Sequence, residues 1–270
     1  MSEPDSARGS WDSGLIHSLL DELAASYAGP AYQAEVSSAR EDYFARSGKV
    51  FEDDGDLFEA RTISFLEWYV LERPLRSGFP PIVDALQKAA TLPAGDLGRA
   101  EALACIATSH RSLFDIAQVE ADGIELEDVL GGARFRVSER RSTIGFDPGA
   151  LVEARLVWQG REPVFAKTFL FHPRDARSEI IDIVDSELAA GADRDQIMFR
   201  LAQLHLRWHR HGHTNAARIY KGAGTIGPVP FGSHGNQSNH DHDHGGHNHG
   251  NHGPNDRPCN DNPGNGPDNP

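Results

Sequence analysis

Cysteine is scarce in this chain, with only Cys105 and Cys259 among its 270 residues. Cys105 lies in an apolar helical pattern and Cys259 in a tail rich in Pro, Asn and Gly, so a disulfide scaffold is not indicated. The polar, acidic N-terminus lacks the apolar run of a signal peptide, and no stretch approaches the ~20 apolar residues of a membrane span. These absences predict a cytoplasmic protein in a reducing compartment, without a membrane partner.

Basic residues are also few, since 26 Lys and Arg face 40 Asp and Glu and give a net charge of −14. The acidity is concentrated in residues 1–60 and 225–270, and a field of that sign repels nucleic-acid phosphates. Arg134-Phe135-Arg136, followed by Arg140-Arg141, interleaves an aromatic with cations as single-strand-binding barrels do. The same pattern is also that of an ordinary exposed strand. The overall acidity favours the strand and predicts no nucleic-acid partner.

Catalytic motifs are missing as well. The chain has no Gly-x-Ser-x-Gly, no phosphate-binding loop and no dinucleotide fingerprint, so no catalytic or cofactor-binding residue is predicted. Asp53, Asp54 and Asp56 resemble a fragment of a calcium loop, but the Glu that should close such a loop does not follow. This cluster is interpreted as a solvated turn.

The first 110 residues have a helical periodicity. Apolar stripes and Gly or Pro terminators predict helices at 12–27, 31–47, from Phe58 to Pro74, 80–90 and 99–108. The strongest stripe combines Phe58, Thr62, Phe65, Leu66 and Tyr69 on one face of its helix.

Residues 111–173 change to short runs rich in Val, Ile and Phe, separated by turn residues such as Asp122-Gly123 and Gly131-Gly132. The alternation in 133–137 and 152–156 is typical of half-buried strands. Five strands at close spacing predict a small antiparallel barrel or curled sheet. The predicted strands are Leu113–Val119, Ile124–Leu130, Arg134–Ser138, Leu151–Trp158 and Pro163–Phe171.

Two further helices, Ser178–Ala190 and Arg194–Arg210, are predicted within residues 174–224. The remainder, 225–270, is disordered by composition. The expected fold class is therefore α+β: a helical N-terminal region, a five-stranded β module, two C-terminal helices and a disordered His-rich tail.

One segment resembles a family. The likeness begins in Phe65-Leu66-Glu67-Trp68-Tyr69 with Arg73-Pro74-Leu75 and continues in 109–116, 128–132, 137–140 and 147–155. In these stretches the chain resembles bacterial proteins that often carry a SEC-C zinc motif. The resemblance covers residues 55–172 and implies a helical segment feeding a small β module. The SEC-C motif itself, with its paired zinc-binding cysteines, is absent here.

The tail is rich in imidazole. Every second residue of His240-Asp241-His242-Asp243-His244 is a histidine, a pattern that suits an ion such as Ni, Zn or Cu. Nearby glycines leave the backbone free to wrap around the ion. The alternative is an inert polar spacer whose histidines accompany Asn and Gly. The predicted tail ligands are His240, His242, His244, His247, His249 and His252.

A second candidate lies near the end of the last predicted helix. His205 and His209 are i and i+4, so they lie on one helix face and could chelate a metal with His211 and His213 as extra ligands. The Glu of a His-Glu-x-x-His hydrolase is missing. His205 also lies on the apolar stripe, which favours a packed or helix-end histidine.

These patterns lead to two functional hypotheses. The first is a non-enzymatic cytoplasmic accessory protein whose tail binds or buffers a divalent metal, with an unknown protein partner. The second is a protein-binding adaptor that uses the β module, with the tail as a spacer. An enzyme whose residues match no motif is the third and weakest hypothesis.

Overall fold

The computed structural model of the protein describes residues 13–91, 97–138, 145–159, 162–211 and 215–222. These ranges contain five helices, then five strands, then three helices, which confirms the α+β class. The helices are α1 Ser13–Tyr27, α2 Gln33–Ser47, α3 Asp56–Leu71, α4 Pro81–Ala90, α5 Leu97–Ala107, α6 Arg177–Ala189, α7 Arg194–Arg210 and α8 Ala216–Lys221. The strands are β1 His110–Val119, β2 Gly123–Asp128, β3 Arg134–Ser138, β4 Leu151–Gln159 and β5 Glu162–Phe171.

The strands form one antiparallel sheet in the order β3-β2-β1-β4-β5. Its register shifts between Ile116 and Gln118 in β1 and between Ala154 and Leu156 in β4, and such irregularities increase the twist of a sheet. The sheet curls until Cα atoms of β3 and β5 lie within 8 Å of each other. The sequence prediction of a small barrel or curled sheet is therefore confirmed.

The interior of the curled sheet is apolar. Alternate side chains of all five strands point inward, and most of these residues are 5% exposed or less. The buried strand residues are Phe114, Ile116, Ile124, Leu126, Val137, Val152, Ala154, Leu156 and Phe165, and Phe146 and Ala150 join them from the segment before β4. The remaining side chains of β1 and β4 face outward, toward the helices, and define what we call the outer face of the sheet. β4 is therefore buried on both sides.

Helix α3 lies at the centre of the helical layer. One side carries Phe65, Trp68 and Tyr69. The rings of Phe65 and Trp68 pack with Tyr43 of α2, Trp68 also packs with Phe199 of α7, and Tyr69 stacks on Phe65. The other side carries Arg61, Ser64 and Glu67 against the sheet. Arg61 and Glu67 are 2% and 6% exposed, so this helix is buried on its polar side as well as on the predicted apolar stripe.

Two sequence interpretations are wrong in detail. The polar residues Glu153 and Arg155 of β4 are 8% and 3% exposed, so this strand is not half-buried as its alternation predicts. The outer face that carries them is covered by α3, which alternation cannot reveal. The short helix α8 was not predicted; Asn215 caps it, its side chain accepting from Arg218 N at 3.3 Å.

Helices α6, α7 and α8 pack on the outer face through Leu113 and Leu151 of the sheet. All described residues belong to one compact unit, residues 1–228. The predicted disordered tail lies outside the described residues. Among the described helices, none is both long and apolar enough to cross a lipid bilayer.

The apolar interior of the curled sheet gives a stability prediction. Phe114 is completely buried, so Phe114→Ala should lower the free energy of unfolding by about 3–5 kcal/mol through lost burial and the cavity left behind. Phe79 is 54% exposed, and Phe79→Ala should change it by no more than about 0.5 kcal/mol. Urea unfolding followed by fluorescence would measure both. Similar losses for the two variants would contradict this assignment of the core.

Candidate functional site

The described residues include three of the ten histidines predicted to bind metal, His205, His209 and His211. The six tail histidines and His213 lie outside the described residues. His205 is 4% exposed, inside the body, whereas His209 and His211 are exposed at the end of α7. Across the described ranges, no three His, Cys, Asp or Glu side chains are placed so that one metal ion could join them.

His205 packs among aromatic rings close to α8. Its ring centroid lies 5.5 Å from that of His172, with the rings perpendicular, and 5.3 Å from that of Trp208. Nδ1 of His172 lies 3.0 Å from the hydroxyl of Tyr220, and His205 shares a hydrogen bond with the backbone of Phe171. Burial lowers the pKa of His172 to about 3 and also lowers that of His205, so both rings are neutral at pH 7.

The cations of β3 are already paired. Arg134 contacts Glu127 at 2.9 Å, and Arg136 contacts Glu120 at 2.7 Å and Asp122 at 2.8 Å. Phe135 packs within 6.0 Å of the rings of His110, Phe114 and Trp158. Arg140 and Arg141 lie outside the described residues.

The acidic turn is not simply solvated. Asp54 is 8% exposed and accepts two hydrogen bonds from Arg210, Nε to Oδ1 at 2.9 Å and Nη2 to Oδ2 at 2.8 Å. These bonds, with one from the amide of Phe51, lower the pKa of Asp54 to about 2. Asp54 therefore attaches the turn to the end of α7, while Asp53 and Asp56 are exposed.

A serine, a histidine and an aspartate meet at one end of the barrel. Ser112 donates to Oδ1 of Asp128, whose Oδ2 lies 2.8 Å from His110 Nε2. Arg194, from the start of α7, reaches the same carboxylate at 3.2 Å and the Ser112 hydroxyl at 2.6 Å. The amide of Leu130 donates to Asp128 at 3.0 Å, so four donors surround one carboxylate.

This arrangement does not activate a nucleophile. In a nucleophilic triad the histidine lies between serine and carboxylate and removes the serine proton, whereas here the carboxylate lies between the other two. Burial opposes ionisation of Asp128, but the hydrogen bonds from His110 and Ser112 outweigh it and lower its pKa. Asp128 is thus a structural anion that ends β2 and joins the barrel to α7. Its position also explains why β2 ends two residues before the predicted Leu130.

A buried charge network joins α3 to the outer face of the sheet. Arg155 of β4 contacts the carboxylate of Glu72, lies 3.5 Å from Glu67 Oε2 and donates to Ser109 Oγ at 3.1 Å. The other oxygen of Glu67 accepts from the amide of Lys167 in β5 at 3.1 Å. Arg111 of β1 extends the network to Glu72 at 3.6 Å.

The carboxylates of Glu67, in α3, and Glu72, the residue that follows α3, respond differently to this environment. Burial raises the pKa of Glu67, and Arg155 only partly opposes that effect. Burial also disfavours the Glu72 anion, but the guanidinium groups of Arg155 and Arg111 outweigh it and lower its pKa. The network contains buried, paired charge close to a small cavity lined by Arg61, Glu67, Arg111, Glu153 and Arg155.

Sequence reasoning missed both polar clusters. Glu67 and Asp128 both lie in the segments that carry the family resemblance, but nothing near them in the sequence indicates which residues their side chains contact. One signal was available. Charged residues alternate with apolar residues along β4, and Glu67 of α3 lies among apolar neighbours, so these charges could have been expected to lie close to the core. Reading it would have required the pairing of α3 with β4, which lies about eighty residues further along.

Comparison with protein-family models, curated proteins and solved structures found no match to this chain. The resemblance to proteins that often carry a SEC-C motif therefore stays a prediction.

The charge network predicts a coupled effect on stability. Arg155→Met leaves the Glu67 carboxyl buried without its cation and should lower the free energy of unfolding by about 3–5 kcal/mol. Adding Glu67→Gln should recover part of this loss, because the amide can still accept from Lys167 N and carries no charge. Urea unfolding of the two single variants and the double variant would measure the coupling.

The exposed pair of Arg134 and Glu127 provides the control for this cycle, since its Arg side chain is 78% exposed. Arg134→Met should change stability by no more than about 1 kcal/mol. Strictly additive losses for Arg155 and Glu67 would contradict a direct interaction between them.

Acidification should destabilise the protein through His172. Its pKa is about 3 in the folded state and ~6.5 when unfolded, so between these values only the unfolded chain binds the proton. Its stabilising contribution is therefore present above pH 6.5 and falls by about 2 kcal/mol between pH 7 and pH 5. His172→Asn should lose correspondingly less stability than the native protein over that interval in urea titrations.

Tyr220→Phe is the matched control for His172→Asn. It removes the hydroxyl that contacts His172 and keeps the ring that buries it, so the acid-dependent loss should persist. An equal loss in His172→Asn and the native protein would show that His172 does not cause it.

Proposed function

We propose that this protein is a non-enzymatic accessory protein that binds and buffers a divalent metal ion, Ni, Zn or Cu, through its histidine-rich tail. The observation that carries the proposal is the density of imidazole, with seven of the chain's fourteen histidines between positions 234 and 252. Imidazole nitrogen is a preferred ligand of all three metals, with affinity increasing toward Cu.

The spacing of the tail histidines supports chelation by several rings at once. His240, His242 and His244 alternate with aspartates, and Gly245-Gly246 and Gly250 restrict the backbone little. Ordering such a segment around an ion costs conformational entropy, so modest affinity and low selectivity are expected. Those are the properties of a buffer, which must release its ion.

The test is isothermal titration of the untagged full chain with Ni and Zn at pH 7.5. We expect micromolar or tighter binding. It should be lost when His240, His242, His244, His247, His249 and His252 are all changed to Asn, a substitution that preserves chain length and leaves the net charge at this pH unchanged. Binding should also disappear near pH 5, because imidazole with a pKa of ~6.5 is then protonated.

His209→Asn with His211→Asn is the control within the body, because both side chains are exposed at the end of α7. It should leave the titration unchanged. Binding that survives the tail substitutions and disappears in this control would place the ligands on α7. No binding by the native chain would overturn the proposal.

A second candidate function is protein binding through the β module, favoured by an aromatic cluster whose exposed member is Phe169. Phe169 is 41% exposed, and its ring lies 5.1 Å from that of Phe146 and 5.6 Å from that of Phe171. Aromatic side chains supported by other rings are enriched in protein interfaces. In this alternative the tail is a spacer.

A photo-crosslinking residue at position 169 would distinguish the two functions. An adaptor should give one specific adduct from this position, also after the six tail substitutions. Leu188 of α6 is 39% exposed and provides the control position. No adduct from 169, or the same adducts from both positions, would reject the aromatic cluster as an interface.

A further inference from the structure

A cavity of about 20 Å³ lies between α3 and the outer face of β4 and β5. Five charged side chains line it, namely Arg61, Glu67, Arg111, Glu153 and Arg155. One ordered water needs a cavity of at least about 10–15 Å³ and two to four polar partners. The space therefore suits a single water and excludes a larger organic ligand.

Three buried polar atoms at this cavity have no hydrogen-bond partner among the described residues. They are Nε of Arg61, Nε of Arg155 and Oε2 of Glu153, in residues that are 2%, 3% and 8% exposed. Nε of Arg155 lies 3.5 Å from Glu67 Oε2 in an ion pair, but it makes no hydrogen bond there. The terminal nitrogens of the two arginines are used elsewhere, since Arg61 Nη2 donates to Ser47 O at 2.8 Å and Arg155 binds Ser109 and Glu72. Burying such groups unpaired loses their hydration without compensation, so native proteins rarely do it.

The chemistry of the three atoms identifies the ligand. Two are N–H donors and one is a carboxylate acceptor, which matches a molecule that accepts two hydrogen bonds and donates one. A halide would meet the Glu153 and Glu67 carboxylates, and a metal cation would meet three guanidinium groups. We propose that this cavity binds one structural water, which accepts from Arg61 and Arg155 and donates to Glu153.

This water connects two layers of the protein. Arg61 belongs to α3 and also holds the end of α2 through Ser47 O, whereas Glu153 and Arg155 belong to β4. Arg155 contacts α3 directly at Glu67 and, just after the end of the helix, contacts Glu72. The water adds a second connection at Arg61, between one and two helical turns before Glu67 on α3.

The test is a crystal structure of the full chain at a resolution that shows ordered waters. We expect one peak within hydrogen-bond distance of Arg61 Nε, Arg155 Nε and Glu153 Oε2, as well ordered as its neighbours. A crystal soaked in bromide should give no anomalous peak there. An anomalous peak would replace the water with an anion, and a cavity closed by a different arginine rotamer would overturn the proposal.

A solution measurement keeps the proposal testable if crystals do not form. In the ¹⁵N-arginine-labelled full chain, the Nε–H protons of Arg61 and Arg155 should both show cross-peaks to water at neutral pH. Arg210 is the reference, since its Nε donates to Asp54 at 2.9 Å. Substitution of each arginine by Lys assigns its signal, and the absence of water cross-peaks at both positions would overturn the proposal.

Discussion

The contact between Arg155 and the carboxylates of Glu67, in α3, and Glu72, directly after it, determines how the helical layer meets the sheet. Removing these charges from water is costly, and only close partners of opposite charge offset that cost. Glu67 must therefore lie beside both Arg155 and the amide of Lys167. Apolar packing alone would tolerate α3 sliding along the sheet, whereas these directional contacts define one position.

Helix α7 is attached by the same type of contact at each end. Arg194 in its first turn meets Asp128 of the barrel, and Arg210 in its last turn meets Asp54 of the turn before α3. Between them, Phe199 and Leu201 contribute to the helical core and to the core under α6. Hydrophobic burial supplies most of the stabilisation of such a body, and the charged ends select the arrangement.

Much of the architecture could be predicted because it depends on local periodicity. Seven helices and five strands lie within a few residues of the predicted ranges, since stripes at period 3.6 and alternation at period 2 reflect which faces must be apolar. The prediction was wrong for the outer face of β4, because polar alternation indicates a wet surface unless another element covers it. It missed α8, whose six residues are too few to show a helical period.

The sequence by itself determined the α+β class, the order of its elements and the imidazole-rich composition of the tail, all of which depend on composition or on neighbours within a few residues. Only the tertiary structure decided that Glu67, Glu153 and Arg155 are buried, that His205 packs against His172, and that Asp128 joins β2 to α7. Each of these facts depends on pairing between segments distant in the chain. A side chain shows its charge in the sequence, but its solvent exposure and its partner are set only when the fold brings the other segment to it.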